Sequence, residues 1–151
     1  MFYRKFPAPS LSASTTFQGL IFFALILFIS GTVEPATAQH YTRDLDTPEK
    51  ISLVVKSKTG RVNVVASDTQ FKKVSIEASS SGKPVDGSDL RVEPRGTSLE
   101  IEVRDRGERD RIDLVVRIPE RSKVTVEGEA GAVDVIGNLE SAEVTTNTGT
   151  I

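Results

Sequence analysis

Two glutamates in one short segment have the best residue types and spacing for acid–base chemistry. Glu100 and Glu102 are separated by one residue in a segment that alternates polar and apolar side chains. In a strand, such residues share a face and lie about 7 Å apart, a spacing loosely suited to the carboxyl pair of a glycosidase. Catalysis would also need one buried carboxyl group with a raised pKa and aromatic side chains to hold the sugar. The alternation places both glutamates in water, so we expect a solvated strand face instead.

The most densely charged stretch is the run Arg104–Arg111, which holds four arginines and three acidic residues. Such a run is able to contact an anionic envelope polymer, for example lipopolysaccharide or a teichoic acid. Its net charge is small, however, and Gly107 is suited to a turn. We therefore expect a solvated hairpin that joins a strand at Leu99–Val103 to a strand at Ile112–Ile118.

Few residues in this chain could support metal binding or nucleophilic catalysis. There is no cysteine, and His40 is the one histidine. This composition excludes disulfide scaffolds and cysteine-ligated metal sites, and it leaves only His40 as a base for a nucleophile. Asp44, Asp46 and Glu49 follow His40 but lack the glycine-centred spacing of a calcium loop. We expect no metal, no cofactor and no catalytic residue.

The charge balance bears on the class of partner. The chain has 19 basic and 21 acidic residues, for a net charge of −2. A nucleic-acid-binding domain usually carries a basic patch or stripe and a high isoelectric point. This mixed, mildly acidic composition therefore argues against nucleic acid as a partner.

The first 38 residues have the organisation of a secretory signal peptide. Two basic residues near the start are followed by the apolar run Leu20–Ile29 and the small-residue triplet Ala36–Ala38. This order predicts cleavage after Ala38. The apolar run is well short of the roughly 20 residues that span a bilayer. The alternative is an uncleaved anchor stretched from Phe17 to Val33, which would attach the protein to a membrane.

The chain after the signal peptide is divided into two parts. We expect residues 39–49 to form a flexible N-terminal segment, because segments near a terminus are commonly mobile. From residue 50 onward, apolar residues recur with period two, most regularly at Ile112, Leu114, Val116 and Ile118. This period is typical of strands with one buried and one solvated face. Gly- and Pro-containing turns separate the runs, and no window of the mature chain has the spacing of a helix.

The fold class follows from this pattern. We predict that residues 50–151 form an all-β domain, a β-solenoid-like or sandwich-like stack of short strands with Gly turns. A short repeat supports a stack: Gly60–Val64 resembles Gly131–Val135, and Gly149–Ile151 begins a third copy. The last two copies are 18 residues apart, which also aligns Val126 with Val144 and is about the size of one solenoid rung. We expect the domain to be truncated within this third copy, with further rungs downstream.

At this point the sequence resembles the bacterial putative-adhesin family, an exported domain of unknown function with β-strand repeats. The resemblance rests on short motifs in a fixed order: Thr59–Val64, Leu99–Ile101, Val115–Pro119, Val124–Val126 and Gly131–Val135. It extends over roughly residues 50–151. The resemblance implies an all-β, exported or membrane-attached protein, and it supplies no catalytic residue to carry over.

Three classes of function remain open from the sequence. The first is an exported, non-catalytic β-repeat protein of the periplasm or cell surface that binds an envelope polymer, glycan or protein. The second is an envelope-stress-sensing or structural module attached to the membrane, which an uncleaved N-terminal segment would favour. The third is a carbohydrate-active enzyme on a β-helix scaffold, which the solvated position of Glu100 and Glu102 disfavours. We predict the first.

Overall fold

The computed structural model describes residues 40–151, and the predicted signal peptide lies outside the described residues. These residues form ten strands in two five-stranded sheets. The first sheet has the strand order β1-β4-β7-β3-β9, and the second has the order β10-β8-β2-β6-β5. The strand bounds are β1 His40–Asp46, β2 Ser52–Ser57, β3 Val62–Ser67, β4 Lys73–Ser80, β5 Leu90–Arg95, β6 Ser98–Val103, β7 Ile112–Pro119, β8 Lys123–Gly128, β9 Val133–Ile136 and β10 Ser141–Thr146.

The buried core lies between the two sheets and follows the predicted alternation. In β7, Ile112, Leu114, Val116 and Ile118 are each at most 1% exposed, whereas the intervening side chains are partly exposed. The valines and leucines of β2, β3, β6 and β8 alternate in the same way and join one apolar cluster. The predicted all-β fold is therefore confirmed. The helical residues in the described part of the chain are confined to two 3₁₀ turns, Asp68–Gln70 and Glu108–Asp110.

The repeat seen in the sequence is the stacking register of the fold. β2 and β3 form one rung, with one strand in each sheet, and β8 and β9 form the next. Leu53 pairs with Val124 in one sheet and Val62 pairs with Val133 in the other, so both strands of the rung keep one sequence offset. β10 then pairs in parallel with β8, which brings Val144 opposite Val126 as predicted.

The segment between β3 and β8 adds a third rung and two antiparallel strands. β6 pairs in parallel with β2, and β7 pairs in parallel with β3, so β6 and β7 form a rung on the other side of β2 and β3. β5 and β4 run antiparallel to β6 and β7 and extend the two sheets. The sheets are thus parallel through their repeated part and antiparallel at the β1 and β5 edges.

The prediction of a flexible segment over residues 39–49 is wrong for most of that segment. His40–Asp46 is strand β1, which pairs antiparallel with β4 along its whole length. The inward-facing positions of β1 include Tyr41 and Leu45, which pack against the buried core. Partial burial of these two side chains and pairing with β4 along the whole strand hold the segment at the edge of the sheet. The alternation of side chains in this segment indicates its structure better than its position near the predicted cleavage site does.

Strand β5 is an exception to the expectation that the Pro-containing segments are turns between strands. The strand extends over Leu90–Arg95 and includes Pro94. It is the outermost strand of its sheet. A proline has no backbone N–H group, and it is tolerated in an edge strand because one row of backbone groups there has no strand partner.

Within residues 40–151, we find no helix with the length and apolar character needed to cross a membrane.

Candidate functional site: a polar groove at the turn edge

The parallel strands of the second sheet all end at one edge, where the chain crosses to the first sheet. In two rungs this crossing is a short turn, formed by residues 58–61 and 129–132. In the rung of β6 and β7 the crossing is the longer loop of residues 104–111. Since parallel strands place equivalent ends side by side, the turns stack and the longer loop stands at one end of the stack.

A groove with a cavity volume of about 700 Å³ runs along this edge. We call it the turn-edge groove. It crosses the ends of β6, β2, β8 and β10 and is lined mostly by polar and charged side chains. The lining residues are Lys56, Ser57, Lys58, Glu102, Val103, Arg104, Asp105, Glu127, Gly128, Glu129, Thr145 and Asn147.

Strand register determines how the groove's charges follow one another. On the outer face of the second sheet, Lys56 pairs with Glu102 on one side and with Glu127 on the other, and Glu127 pairs with Thr145. The alignment continues past the strand ends, because Glu129 donates its N–H to the carbonyl of Ser57 at 3.2 Å. Neighbouring strands are about 4.8 Å apart, so charges of opposite sign lie one strand spacing from each other.

Some of these charges are already compensated by neighbours. Lys56 Nζ lies 2.9 Å from Glu100 Oε1, and this hydrogen bond raises the pKa of the lysine above its ordinary value. Glu102 lies 3.7 Å from Arg91. The Asp105 carboxylate accepts a hydrogen bond from the Gly107 N–H at 2.9 Å but forms no salt bridge within residues 40–151.

Five charged groove residues are exposed and form no salt bridge within residues 40–151: Lys58, Arg104, Asp105, Glu127 and Glu129. Lys58 and Arg104 are cations that follow β2 and β6, Asp105 is an acid beside Arg104, and the two glutamates are acids at the end of β8. These five charges are available to contact a ligand.

The longer loop is held rigidly against the body of the domain by Arg106. Its guanidinium forms a two-point ion pair with Asp89, whose side chain is 4% exposed. The same guanidinium donates hydrogen bonds to the carbonyl oxygens of Lys83 at 3.1 Å and Pro84 at 3.0 Å. This bidentate geometry is specific to arginine. Arg106 therefore anchors the loop and is not part of the groove.

Asp110 provides a second anchor for the same loop. Its carboxylate accepts hydrogen bonds from the Lys83 N–H and from the Ser80 hydroxyl, each at 2.8 Å. These two hydrogen bonds, the one from the Lys83 backbone first, lower the pKa of Asp110 from its ordinary value. The carboxylate is thus kept ionised, and the loop is fixed at two points on its inner side.

The predicted hairpin over Arg104–Arg111 is therefore wrong in its topology. β6 and β7 lie in different sheets, and the run is a crossing between them. A period-two pattern does not show which sheet a strand joins, because that depends on pairing with distant segments. The interpretation as a fully solvated run also fails at Arg106, whose side chain is 16% exposed.

The predicted outward position of Glu100 and Glu102 is confirmed. Their side chains are 33% and 51% exposed, and each is near a cation on a neighbouring strand. His40 is on the exposed face of β1, together with Asp44 and Asp46. Within residues 40–151, no cluster of three or more histidine or acidic side chains has an arrangement that could hold a metal ion.

Sequence reasoning did not single out the acidic side of the groove. Glu127, Glu129 and Asn147 stand in segments without a catalytic pattern, and nothing local marks them. A signal was nevertheless present: the offsets that align Gly60 with Gly131 and Gly149 also align Lys58 with Glu129 and Asn147. Extending the repeat alignment by two residues would have brought these three side chains together.

Comparison with known proteins relates this chain to others through its fold. No protein-family model matches the chain, and no curated protein matches it. Among solved structures, a putative cell adhesion protein from Clostridium sporogenes matches 73% of this chain with a TM-score of 0.54 and 12% identity. A putative adhesin from Bacteroides fragilis also matches 73% of it, with a TM-score of 0.39 and 11% identity.

The coverage of these structures is partial. The chain spans 57% of the length of the Clostridium protein and 60% of the Bacteroides protein. At such low identity the likeness concerns the fold alone. The resemblance to the bacterial putative-adhesin family is thus supported at the level of architecture: this chain has the all-β fold of the putative cell adhesion protein from Clostridium sporogenes.

Proposed function

We propose that this chain is an exported, non-catalytic module of the bacterial cell envelope that binds an envelope polymer, glycan or protein at the turn-edge groove. The observation that carries the proposal is the groove itself. It crosses four strand ends, holds uncompensated charges of both signs, and has one wall anchored by Arg106 and Asp110. A long polar groove on rigid elements suits a linear or extended partner, because little ordering is needed on binding.

The charge states of the carboxyl groups support a binding role over catalysis. A general acid that works near neutral pH needs a raised pKa. Where the described carboxyl groups have a displaced pKa, hydrogen bonds to their charged forms lower it: these groups are Asp44, Asp86, Glu93 and Asp110. They stay ionised and serve as acceptors for cations and N–H groups. Glu100, the more protected of the predicted pair, is engaged by Lys56.

The comparison with solved structures supports the adhesive side of the proposal. The Clostridium structure with this fold is named a putative cell adhesion protein. Residues 1–38, with their signal-peptide organisation, support delivery to the periplasm or the cell surface. Together they favour a module that is exported and holds a partner in the envelope.

The proposal is tested by retention on purified envelope polymers. The secreted protein is passed over immobilised peptidoglycan, teichoic acid and lipopolysaccharide, and both retention and turnover are measured. The double variant Lys58→Gln/Arg104→Gln should lose most of the retention seen with wild type. Retention should also weaken with added salt, since the Debye length shortens from about 10 Å at 0.1 M to about 3 Å at 1 M.

A matched control removes the same charge from the opposite end of the strands. Arg121 and Lys123 lie where β8 begins, beside a separate cavity away from the turn edge. The double variant Arg121→Gln/Lys123→Gln should be retained as wild type is. Equal losses in the two double variants, or no retention on any polymer, would contradict a site at the groove. Steady turnover that disappears in Glu100→Gln/Glu102→Gln would show an enzyme.

A further inference from the structure

Within the turn-edge groove, the uncompensated charges change sign between the end of β2 and the end of β8. Lys58 follows β2, and Arg104 follows β6, which is the neighbour of β2 on one side. Glu127 and Glu129 belong to the end of β8, the neighbour of β2 on the other side. The next strand, β10, contributes only the uncharged Thr145 and Asn147. At the end of β6, the neighbouring Asp105 offsets the charge of Arg104. The uncompensated charge is therefore positive at the end of β2, negative at the end of β8 and neutral at the end of β10.

The separation of sign is set by the backbone, not by flexible side chains alone. Glu129 is held beside β2 by the hydrogen bond of its N–H to Ser57, and the next residue, Ala130, donates its N–H to the carbonyl of Lys58 at 2.8 Å. These hydrogen bonds fix the start of the Lys58 and Glu129 side chains one strand spacing apart, about 4.8 Å. Arg104 is fixed in turn, because its N–H donates to the Asp89 carbonyl at 2.8 Å.

Lys58 and Glu129 are adjacent, yet they form no ion pair within the described chain. An ion pair between exposed side chains gains little, because water solvates both charges and the pair loses side-chain freedom. A ligand with two charges of its own meets both side chains at once. Its anionic group can accept hydrogen bonds from the lysine and arginine, while its cationic group lies against the two glutamates.

We propose that the turn-edge groove binds a zwitterionic group, in which an anionic group and an ammonium lie about one strand spacing apart. The anion lies against Lys58 and Arg104, and the ammonium lies against Glu127 and Glu129. This proposal rests on the proposed function and names the chemistry of the partner. A phosphoethanolamine group has this chemistry, and it can be borne by an envelope polymer or by a lipid headgroup.

The test measures binding of three small probes to the secreted protein by calorimetry or by NMR shifts. The probes are phosphoethanolamine, inorganic phosphate and ethanolamine. Phosphoethanolamine should bind at least about threefold more tightly than either single-charge probe, which is the scale expected for one added exposed ionic contact. Similar binding of phosphate and phosphoethanolamine, or no binding of phosphoethanolamine, would overturn the proposal.

Two sets of variants separate the contributions of the two signs. Glu127→Gln/Glu129→Gln should weaken phosphoethanolamine by about threefold and leave phosphate binding unchanged or improved, because only the ammonium loses its partners. Lys58→Gln should weaken both phosphate and phosphoethanolamine. The matched control is Glu140→Gln, which removes one acid beside Lys123 at the far end of the strands and should change neither affinity. An equal effect of Glu140→Gln and Glu127→Gln/Glu129→Gln would also overturn the proposal.

Vesicle flotation distinguishes a lipid from a polymer as the source of the zwitterionic group. Flotation with phosphatidylethanolamine–phosphatidylglycerol vesicles but not with phosphatidylglycerol alone assigns the group to a lipid. Binding of phosphoethanolamine without flotation assigns it to a polymer, and both results support the site. Failure of this inference is distinguishable from failure of the proposed function. Polymer retention that depends on Lys58 and Arg104, without any preference for phosphoethanolamine, leaves the binding module intact and removes only the zwitterion.

Discussion

The carbonyl oxygen of Gly60 lies directly beneath Gly131, so that a Cβ atom on Gly131 would be only 2.0 Å from it. Gly131 stands in the same relation to Gly149, again at 2.0 Å. These glycines occupy equivalent turns of successive rungs, at the edge where the chain crosses between the sheets. Their missing side chains let the turns stack at the spacing that the strands require, and this close approach is the physical meaning of the glycine repeat.

Gly131→Ala should therefore be strongly destabilising. The Cβ would overlap the Gly60 carbonyl, and the backbone of Gly131 has a φ of +129°, which L side chains rarely adopt. We expect a loss of roughly 2 kcal/mol or more in the free energy of unfolding, measured in urea. Gly128→Ala is the control, because its Cβ would meet nothing closer than 3.8 Å. Equal stabilities of the two variants would contradict the stacking.

Leu114 and Val115 test which face of β7 is buried. Leu114 is fully buried, whereas Val115 is on the partly exposed outer face. Leu114→Ala should cost about 2–5 kcal/mol of unfolding free energy because it leaves a cavity in the core. Val115→Thr keeps the shape of the side chain at a site near water and should cost under about 1 kcal/mol. If both changes were equally mild in denaturant melts, the assignment of faces would be incorrect.

The ion pair that anchors the longer loop gives a third prediction. Asp89→Ala removes the two-point partner of the largely buried Arg106 guanidinium and leaves it only the longer contact with Asp110, at 3.7 Å. Removal of one partner of a buried pair costs roughly 3–5 kcal/mol. Amide exchange over residues 81–89 and 104–110 should rise at the same time. Glu49→Ala is the control, since its pair with Lys72 is exposed and should contribute under about 1 kcal/mol. Unchanged exchange in Asp89→Ala would show that the loop is held by other contacts.

The second anchor makes stability depend on pH. Asp110 has a pKa below its ordinary value of 3.8, because the Lys83 N–H and the Ser80 hydroxyl stabilise its charged form. A carboxyl group whose folded pKa is lowered contributes stability that is fully present above the unfolded pKa. That contribution declines as the pH falls below about 4 toward the folded pKa.

Asp110→Asn isolates this dependence. The variant lacks the titrating group, so its stability deficit relative to wild type should be largest near neutral pH and should shrink as the pH falls through 4 toward 2. Thermal melts of both proteins between pH 2 and 7 measure the deficit. A deficit that stays constant over this range would show that the two hydrogen bonds do not depend on the charge of Asp110.

Processing at the N-terminus is a further prediction, on residues outside the described part of the chain. N-terminal sequencing of the secreted protein should begin at Gln39. Ala38→Arg should leave the precursor uncleaved, because signal peptidase accepts small residues before the cut. An intact Met1 on the mature protein would instead favour the membrane-attached sensing or structural module.

Much of the fold was accessible from the sequence because its main signal is local. Side chains alternate across a strand, so Ile112, Leu114 and Val116 identify a buried face without reference to any other segment. The match of Val126 to Val144 also required only an internal comparison of the sequence, since equal offsets produce parallel register. Even the stacked turns are visible in the spacing of Gly60, Gly131 and Gly149.

Tertiary structure alone decided where each strand pairs and what the loops contact. The alternation of β6 and β7 is the same whether they form a hairpin or belong to two sheets, so the path of residues 104–111 could not be read from it. Arg106 becomes an anchor only because Asp89, distant in the chain, lies beneath it. The edge strand β1 forms because β4 offers it hydrogen bonds and a core surface. The groove likewise forms only where turns far apart in sequence are stacked. Its shape depends on contacts between rungs, which no single segment of the sequence specifies.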